Sequence, residues 1–525
     1  MPLSTPSRLF TAAVKSAESV STDQPVPAPL AASWSVARVL VVVAVVLGAT
    51  LRVYGYARNP SLWIDEAMLA LNVVHKSPAE LLRPLDLNQG APVGYLLANK
   101  LVVGMFGGSE YALRSLSLVA ALASLGLFVP FAYRAMPLPV ARIAVGLFAV
   151  SPYLAGYAAE FKQYELDAAL AVALFACGRP VWQNTAGGLR LVGLACLGAA
   201  SVWFSHPALF VLGGVGLAIL LDAVARGDAA GFKRRLLVCG AWAVSFGACY
   251  LQFTRKLGMN QYLLDYWAGT FMALPPYKPG HFAWLTHHYF EAFVSPGGFG
   301  AEAVNASGLA GLLALVGGLH LARTDWRLLA AVATPVGLAL LASGLQKYPF
   351  AGRLLLFAVP GLLVLVAVGA RAAAQALGRA VPGAGVLLLG ALFAAPVAEC
   401  NWQVKRPLHA EDAREVVAHA HANWQPGDKA YVFYAAAASF HYYRDRFPIP
   451  LADVVQGVEN RGKDQGQYQQ ELAVLRGRRR VWVILAHRQT SEEAAVRAYL
   501  DGMGTREETL RLADAVVWRY DLGGR

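Results

Sequence analysis

The sequence predicts a polytopic α-helical membrane protein that ends in a small α/β domain. The chain has 525 residues, of which 57% are hydrophobic and only 15% are charged, and its mean hydropathy is +0.45. In soluble proteins about one residue in four is charged. Nearly charge-free stretches, each long enough for a membrane helix of about 20 residues, recur up to residue 400, whereas the last 125 residues hold 34 of the 78 charged side chains. This distribution excludes an ordinary soluble protein.

The chain divides into a tail, a membrane domain and a soluble domain. Residues 1–35 are rich in Ser, Ala and Pro and lack periodicity, so they predict a disordered cytoplasmic tail rather than a signal peptide. The membrane domain covers residues 36–400, and the soluble domain covers residues 401–525. Eleven spans are predicted, at residues 36–55, 112–133, 140–158, 164–182, 189–205, 207–225, 236–254, 304–322, 328–346, 353–371 and 382–399.

Lysine and arginine residues are concentrated in alternate loops, which predicts the orientation of the spans. With the N-terminus in the cytoplasm, the inner loops carry twelve basic and three acidic residues. The other side carries two long segments, 56–111 and 255–303, and eleven acidic residues. Because the number of spans is odd, the soluble domain is predicted to lie outside the cytoplasm as well.

The soluble domain shows an alternation of helix and strand patterns. Helices are predicted at residues 412–423, 467–475 and 491–500, and strands at residues 430–434, 480–485 and 515–520. This order indicates a small α/β layer domain. It holds 18 basic and 16 acidic residues, so most of the net charge of +12 belongs to the membrane loops and does not indicate nucleic-acid binding. The five cysteines show no CxxC spacing and predict neither a disulfide framework nor a metal site.

The first candidate for chemistry is the pair Asp65-Glu66, which follows the first span beside Arg58 and Trp63. Two carboxylates at a membrane surface could supply a general base. The structural alternative is a helix start, in which Asp65 caps the helix and Glu66 interacts with its dipole. Both interpretations stay open at this point.

The second candidate is the polar entry to the fourth span, which contains Glu160, Lys162, Tyr164 and Asp167. Asp167 lies about one turn inside the predicted bilayer boundary, where an unpaired carboxylate is costly and usually functional. Lys162 is its nearest cation in the sequence. A salt bridge at the helix entry is the structural alternative.

The last short outer turn, Gln346 to Arg353, places Lys347 and Arg353 beside Tyr348. Arg353 suits a phosphate at the depth of the lipid headgroups, although interfacial anchoring alone could also explain it.

Other polar residues have a structural interpretation. Glu110 and Arg114 are four residues apart and predict an ion pair on one helix face. His206, in a short turn, predicts a hydrogen-bonded turn residue. The segment 255–303 has no obvious regular structure and is typical of a substrate loop, but its His287-His288 pair matches no metal-binding motif.

Four motifs in order resemble a known family. They are Asp65-Glu66 after the first span, Pro-x-x-Tyr followed by Gly-x-Ser-Glu-x-x-x-Arg (Pro92 to Arg114), Glu-x-Lys-x-Tyr-x-x-Asp (Glu160 to Asp167) and Tyr-Pro-Phe-x-x-Arg (Tyr348 to Arg353). Together they resemble the GT-C glycosyltransferases that use lipid-phosphate sugars, specifically the bacterial relatives of the protein O-mannosyltransferases and of the lipid A aminoarabinose transferase. The resemblance covers residues 36–400. A His-x-Arg-type motif of the eukaryotic O-mannosyltransferases is absent, so a protein acceptor is not implied.

The resemblance implies an inverting transfer of a sugar from a polyprenyl phosphate to an acceptor hydroxyl on the extracytoplasmic face of the bacterial inner membrane. The implied partners are the polyprenyl-phosphate-linked sugar, a glycan, lipid or protein acceptor, and membrane lipids, with no nucleic acid. Asp65 would be the base and Glu66 its support. The donor phosphate would be bound by Lys162 and Arg353, with Arg58 and Lys347 as further candidates. The supporting residues would be Asp167, Tyr164, Tyr348 and Glu160.

No Gly-rich phosphate loop is present, so no nucleotide needs to bind. The sequence predicts no cofactor and no metal ligand, and it leaves divalent-metal dependence open. Two other classes of protein remain as alternatives. A flippase for lipid-linked sugars would place its ionisable groups near the bilayer midplane, and a membrane assembly factor would not need an acid pair and several cations at one depth.

Overall fold

The computed structural model describes residues 36–301, 304–406, 409, 411–460 and 465–524, so the predicted tail 1–35 lies outside the described residues. Helical structure covers all eleven predicted spans. The α-helices of the membrane part are α1 (Val36–Arg58), α2 (Ile64–His75), α3 (Val93–Phe106), α4 (Glu110–Ala135), α5 (Leu138–Ala149), α6 (Pro152–Gly156), α7 (Tyr164–Trp182), α8 (Gly188–Phe204), α9 (Ala208–Ala225), α10 (Ala229–Cys249), α11 (Arg255–Leu257), α12 (Gln261–Tyr266), α13 (Pro279–Val294), α14 (Ser307–Thr324), α15 (Trp326–Gly344), α16 (Val359–Ala380) and α17 (Ala384–Lys405).

Not every predicted span is long and apolar enough to cross a membrane by itself. Within the described residues, eight helices meet that condition, and a ninth is added if α5 and the helical stretch Pro152–Ala159 form one bent span. The other two predicted spans correspond to α7 and α8. α7 carries Glu165, Asp167 and Arg179, and α8 has only 17 residues. The chain is therefore a multi-pass membrane protein in which α7 carries more charge, and α8 is shorter, than the helices that meet the condition.

Close helix packing in the membrane part depends on small residues. Gly317 of α14 and Gly369 of α16 face each other's backbone: an added Cβ would lie 2.0 Å from the Leu365 carbonyl oxygen and 1.8 Å from the Leu313 carbonyl oxygen, respectively. Because no real Cβ tolerates such distances, only glycine permits this approach. In lipid, where water cannot drive helices together, such close contacts supply the packing energy.

The break between α5 and α6 directs the chain toward the polar segment 160–163. The two helical parts meet at an angle of 48°. Pro152 has no N–H group, so carbonyls at the end of α5 need other partners. The fully buried Arg52 of α1 supplies them by donating to the carbonyls of Phe148 and Ala149 at 3.4 and 3.2 Å.

The C-terminal part forms a five-stranded mixed sheet with helices. Its strands are β1 (Lys429–Val432), β2 (Val454–Gln456), β3 (Val481–Ala486), β4 (Thr505–Arg511) and β5 (Ala515–Asp521), in the spatial order β2-β1-β3-β5-β4. β1 pairs in parallel with β2 and β3, whereas β5 is antiparallel to β3 and β4. Its helices are α18 (Ala413–Ala422), α19 (Ala437–Tyr443), α20 (Gln465–Ala473) and α21 (Thr490–Met503).

Most of the predicted elements of this domain are present, but α19, β2 and β4 were not predicted. β4 carries charged residues at most positions and is largely exposed, so it lacks the apolar pattern of a core strand. The segment 255–303 was also wrongly expected to lack regular structure, since α12 and α13 lie within it.

A single apolar core joins the C-terminal domain to the segment between α1 and α4. Leu62, Leu69 and Tyr95 of that segment are buried in the same cluster as Tyr431 and Trp482 of the sheet. α2 packs against α19. The C-terminal domain therefore fixes the helix that begins with Ile64-Asp65-Glu66.

Candidate active site

The two adjacent carboxylates of α2 have different surroundings. Glu66 is fully buried and accepts two hydrogen bonds from Arg114, at 2.9 Å to Oε1 and 2.6 Å to Oε2. It also accepts hydrogen bonds from the backbone N–H groups of Trp63, at 3.3 Å, and of Phe161, at 2.5 Å. Glu66 therefore ties α2 to α4 and to the segment before α7. The expected catalytic support from Glu66 is corrected to a structural ion pair, because protein donors already occupy its oxygens.

Asp65 lies between two cations that are far away in the sequence. Its Oδ1 is 3.0 Å from Lys162 Nζ, and its Oδ2 is 3.1 Å from Arg353 Nη2. The Asp65 side chain is 19% exposed, and Lys162 is 4% exposed. We call these three residues the ion cluster. It unites the predicted base with the two main predicted phosphate ligands.

Lys162 is held in place by the turn before α7. Its own carbonyl accepts the Ser117 hydroxyl at 3.2 Å, and its Nζ donates to Gln89 Oε1 at 3.0 Å. The neighbouring N–H of Phe161 is bound by Glu66. The structural pair Glu66–Arg114 therefore helps to fix the backbone that carries Lys162.

Arg353 stands at the start of the 3-10 turn Gly352–Ala358, which leads into α16. Its guanidinium lies over three aromatic rings, with centroid distances of 5.2 Å to Trp63, 5.8 Å to Tyr164 and 5.9 Å to Trp267. Cations are attracted to aromatic faces, and planar guanidinium groups stack well on them. The rings thus orient the Arg353 guanidinium and leave some of its N–H groups available to bind an anion.

Electrostatics favour a fully ionised cluster. Burial by itself would raise the pKa of the Asp65 carboxyl, but Lys162 and Arg353 outweigh burial and hold that pKa below its usual value. Burial lowers the pKa of the Lys162 ammonium below its usual value, although Asp65 opposes this change. The cluster carries a net charge of about +1 and is poised to accept an anion.

The ion cluster lines a cavity of about 890 Å³ between the membrane domain and the C-terminal domain. This volume falls in the range of small-molecule sites. From the membrane side, the cavity is also lined by Tyr164, His206, Arg255, Lys347 and Tyr348. From the C-terminal domain it is lined by residues including Tyr434, Gly457, His487, Gln489 and Glu492.

Two predicted residues lie outside the cavity. The Arg58 guanidinium donates to the carbonyls of Gln403 and Val404 at 3.5 and 2.8 Å, so it binds the end of α17 rather than a phosphate. Glu160 forms an ion pair with His409. The imidazole of His409 stacks on Trp63 at 4.4 Å. Arg58 is therefore corrected to a helix-end partner, and Glu160 supports the site from outside the cavity, through His409 and Trp63 and through its charge near Arg353.

The predicted ion pairs are also rearranged. Arg114 pairs with Glu66, not with Glu110. Glu110 binds Arg414 and Arg446 of the C-terminal domain at 3.0 and 2.9 Å. Sequence spacing favoured the partner four residues away, but the tertiary fold offers buried partners with better geometry.

Asp167 does not pair with Lys162 as expected. It is buried in α7 near Ser205, and its Oδ1 has no hydrogen-bond partner among the described residues. Lys162 instead turns toward Asp65. The two residues are five positions apart, and the Lys162 chain enters the cavity before α7 begins.

The two remaining predicted residues line the cavity in different ways. Lys347 is exposed within it. Tyr348 donates its hydroxyl to the Leu354 carbonyl at 2.7 Å, which fixes the turn that carries Arg353.

Several site residues gave no clear signal in the sequence. Gln89 and Trp267 are uncharged residues of long segments, and only the fold brings them to the ion cluster. Glu411 was also missed: its Oε2 accepts the Ile64 N–H at 3.0 Å, and its Oε1 lies 2.5 Å from His487 Nδ1. A buried carboxylate of the C-terminal domain thus caps the helix that carries Asp65.

No metal centre is evident in the described part of the chain, where no group of three or more His, Cys, Asp or Glu side chains could hold an ion. His287 and His288 belong to no such group in the described residues. Their rings contact each other, and the His288 ring stacks on Trp284.

Comparisons with known proteins give structural matches alone. No family model and no curated protein matches the chain. The apo structure of ArnT from Cupriavidus metallidurans matches with 11% identity over 92% of this chain and 98% of its own, at a TM-score of 0.50. ArnT bound to undecaprenyl phosphate matches with 12% identity over 92% and 97%, at 0.49. The Archaeoglobus fulgidus oligosaccharyltransferase in complex with Zn and sulfate matches with 11% identity over 88% and 70%, at 0.48.

The ArnT match extends over nearly the whole length of both chains, so it includes the membrane helices and the C-terminal domain. The chain therefore shares the fold of ArnT, in agreement with the helical membrane domain and C-terminal α/β domain that the sequence predicted.

Proposed function

We propose that the protein is an integral-membrane glycosyltransferase that moves a sugar from a polyprenyl-phosphate donor to an acceptor hydroxyl. The observation that carries this proposal is the ion cluster: a carboxylate between two cations on the wall of a large cavity. Transfer from a lipid phosphate needs fixed positive charge for the leaving phosphate and a base for the acceptor proton. The cluster contains both.

Lys162 and Arg353 bind the donor phosphate. Both contact Asp65, and the aromatic rings around Arg353 keep its guanidinium in place. A phosphodiester carries one negative charge, and the phosphate monoester that leaves carries up to two. Because the cations gain more from the product-like charge, they stabilise the transition state more than the bound donor. Lys347, exposed in the same cavity, adds positive potential.

Asp65 takes the acceptor proton after an exchange of partners. A phosphate on Lys162 and Arg353 competes with the Asp65 carboxylate for the two cations. Once the two cations are shared with the phosphate, they stabilise the Asp65 carboxylate less, and the pKa of Asp65 rises. The acceptor oxygen then attacks the anomeric carbon, the bond from that carbon to the phosphate oxygen breaks with its electron pair on phosphate, and the acceptor proton moves to Asp65. Attack opposite the leaving group inverts the anomeric carbon.

The remaining walls of the cavity suit the acceptor. His487, Gln489 and Glu492 of the C-terminal domain face it from the side opposite the membrane helices. Through Glu411, His487 is connected to the first residue of α2. A domain that covers the cavity and contributes polar side chains would select the acceptor and exclude water.

The proposed location follows from the loop charges. The cavity lies on the face that carries the C-terminal domain, and the alternate loops with twelve basic residues lie on the other. With the positive-inside rule, catalysis takes place on the extracytoplasmic side of the inner membrane.

A deletion strain tests the function as a whole. Lipid and glycan profiling should show the loss of one glycan modification together with accumulation of one polyprenyl-phosphate sugar. Restoring the wild-type gene should reverse both changes, and restoring the Asp65→Asn form should reverse neither. A strain that loses a glycan but accumulates a lipid-linked sugar only on the cytoplasmic leaflet would instead identify a flippase.

Binding to purified protein in nanodiscs tests the phosphate site. Lys162→Ala and Arg353→Ala should each weaken undecaprenyl phosphate binding by about tenfold or more, which corresponds to about 1.4 kcal/mol. Lys76→Ala is the matched control, because Lys76 pairs with the exposed Asp86 outside the cavity. If both cavity variants fold and bind as tightly as the parent, the phosphate site lies elsewhere, and Arg255 becomes the next candidate.

A further inference from the structure

Four buried polar atoms without a hydrogen-bond partner in the described part of the chain belong to residues that line the cavity. They are Trp63 Nε1, Gln163 Oε1, His206 Nε2 and Arg353 Nε. Nearly all buried polar atoms in native proteins are paired, because an unpaired one costs desolvation energy. Four such atoms around one cavity point to a ligand that supplies the missing partners.

The four atoms fall into two groups. Trp63 and Arg353 belong to the surroundings of the ion cluster, since the Arg353 guanidinium lies over the Trp63 ring. Gln163 and His206 have no ion partner. Gln163 follows Lys162 directly and is 7% exposed. His206 lies in the turn between α8 and α9, at the end of the membrane domain where α7 begins.

Gln163 and His206 offer uncharged hydrogen-bonding groups. An amide both donates and accepts, and a neutral imidazole also has one donor and one acceptor nitrogen. Burial lowers the pKa of His206 to about 4, so its ring is neutral at physiological pH. Neither residue is therefore suited to bind the phosphate charge.

We propose that Gln163 and His206 form the subsite for the sugar ring of the donor and hydrogen-bond its hydroxyl groups. This inference rests on the proposed function and adds the residues that recognise the sugar. A sugar hydroxyl can donate a hydrogen bond to Gln163 Oε1, and it can either donate to or accept from His206 Nε2, depending on the imidazole tautomer. A prenyl chain can pair with neither atom, so these atoms mark the sugar end of the donor and not the lipid end.

The position of Gln163 agrees with the covalent structure of the donor. The sugar is attached directly to the phosphate, so its subsite must adjoin the phosphate ligands. Lys162 and Gln163 are consecutive and both line the cavity. The Lys162 cation and the neutral Gln163 amide are therefore adjacent in the chain, as the phosphate and the sugar hydroxyls are adjacent in the donor.

The test compares two lipids on the full-length protein in nanodiscs. One probe is undecaprenyl phosphate, and the other is its sugar-bearing form that binds wild-type protein most tightly among the glucose, mannose, galactose and aminoarabinose derivatives. Gln163→Leu and His206→Phe should each weaken binding of the sugar-bearing lipid by about tenfold and should change the affinity for undecaprenyl phosphate by less than twofold. Lys162→Ala should weaken binding of both lipids. The controls are Gln183→Leu, at the other end of α7, and His320→Phe, which is exposed on α14.

Thermal melting separates a ligand site from a structural role. Replacing an unpaired buried polar atom with an apolar group of similar size is neutral or stabilising. Gln163→Leu and His206→Phe should therefore melt no lower than wild type while losing sugar affinity. A drop in melting temperature together with an equal loss of affinity for both lipids would show that the two residues stabilise the fold, and it would overturn the proposed subsite.

A second measurement uses altered donors with the wild type and the two variants. Donor analogues in which one sugar hydroxyl is replaced by hydrogen should include at least one that binds several-fold more weakly, and that loss should vanish in Gln163→Leu or His206→Phe. If every deoxy analogue binds wild type like the parent, or if the variants keep full preference for the sugar-bearing lipid, the inference is wrong. If neither undecaprenyl phosphate nor any sugar-bearing form binds the wild type, the proposed function itself fails.

Discussion

Lys162 Nζ lies 3.0 Å from Asp65 Oδ1, so the predicted phosphate ligand and the predicted base bind each other. Arg353 completes the arrangement from the other carboxylate oxygen. A donor phosphate that binds these two cations must therefore compete with Asp65. This competition couples donor binding to the basicity of the carboxylate, and it leads to the first prediction.

Asp65→Asn should lower turnover by at least about 100-fold, because general-base catalysis contributes on the order of 10²–10⁴. The same variant should bind undecaprenyl phosphate at least as tightly as wild type, since the neutral amide no longer competes for Lys162 and Arg353. Turnover with the cognate donor and lipid affinity are measured on the same preparation. Asp86→Asn, an exposed acid of the same segment, is the control. Near wild-type turnover in Asp65→Asn would exclude Asp65 as the base.

Glu66→Gln should act on stability more than on catalysis. Breaking the buried pair with Arg114 leaves an uncompensated guanidinium, a change that costs about 3 kcal/mol or more. Thermal melting in detergent should fall, and the double variant Glu66→Gln with Arg114→Gln should recover part of the loss. A variant that melts like wild type but does not turn over would instead give Glu66 a direct catalytic role.

The pH dependence of turnover should differ between the free and donor-bound enzyme. Lys162 and Arg353 hold the pKa of Asp65 below its ordinary value of about 3.9, so the acid limb of kcat/KM should lie below pH 4. In the donor complex the phosphate draws on both cations, and the acid limb of kcat should move to higher pH.

The sign for stability follows from the same shift. The Asp65 ion pairs stabilise the fold above the unfolded-state pKa, and this contribution is lost as pH falls through the lower folded-state pKa. Asp65→Asn should therefore remove part of the acid destabilisation of the wild type.

For the pH dependence of turnover, identical acid limbs for kcat and kcat/KM would contradict the exchange of partners between Asp65 and the donor phosphate.

The Glu411–His487 contact should make the attachment of the C-terminal domain sensitive to alkaline pH. The hydrogen bond that His487 donates to the Glu411 carboxylate raises the pKa of His487, and Asp514 adds to this while burial and His409 oppose it. The contribution is fully present below the unfolded pKa of about 6.5 and is lost as pH rises through the folded value. The melting temperature should therefore fall as the pH rises above the unfolded pKa and through the higher folded-state pKa of His487, and less so in Glu411→Gln. An unchanged slope in that variant would rule out this contact as the cause.

The topology prediction is tested with reporter fusions. Fusions at Gly187 and Asp228 should report the cytoplasm, and a fusion at Gly466 should report the extracytoplasmic side, because basic loops alternate across the spans. A cytoplasmic signal at Gly466 would overturn the count of eleven spans. The charged helix α7 and the short helix α8 would then be the first candidates for a helix that does not cross the membrane as predicted.

The apolar runs determined the membrane class and the positions of the long apolar helices, because a helix in lipid must satisfy its own backbone and must be apolar for about 20 residues. The alternation of patterns after residue 400 also determined the α/β character of the last domain. Asp65, Lys162 and Arg353 could be singled out by their charge at span ends. These are local properties, and a linear sequence displays them directly.

Only the tertiary structure decided which partners these residues have. The sequence placed Lys162 with Asp167, Arg114 with Glu110 and Arg58 at the phosphate, whereas the fold pairs Lys162 with Asp65, Arg114 with Glu66 and Arg58 with the end of α17. A buried charge pairs with whatever opposite charge the packing brings within hydrogen-bond distance, and that distance is set by helix crossings and by the docking of the C-terminal domain. Gln163 and His206 are the extreme case, because an uncharged side chain has no long-range signature and becomes informative only when its surroundings are known.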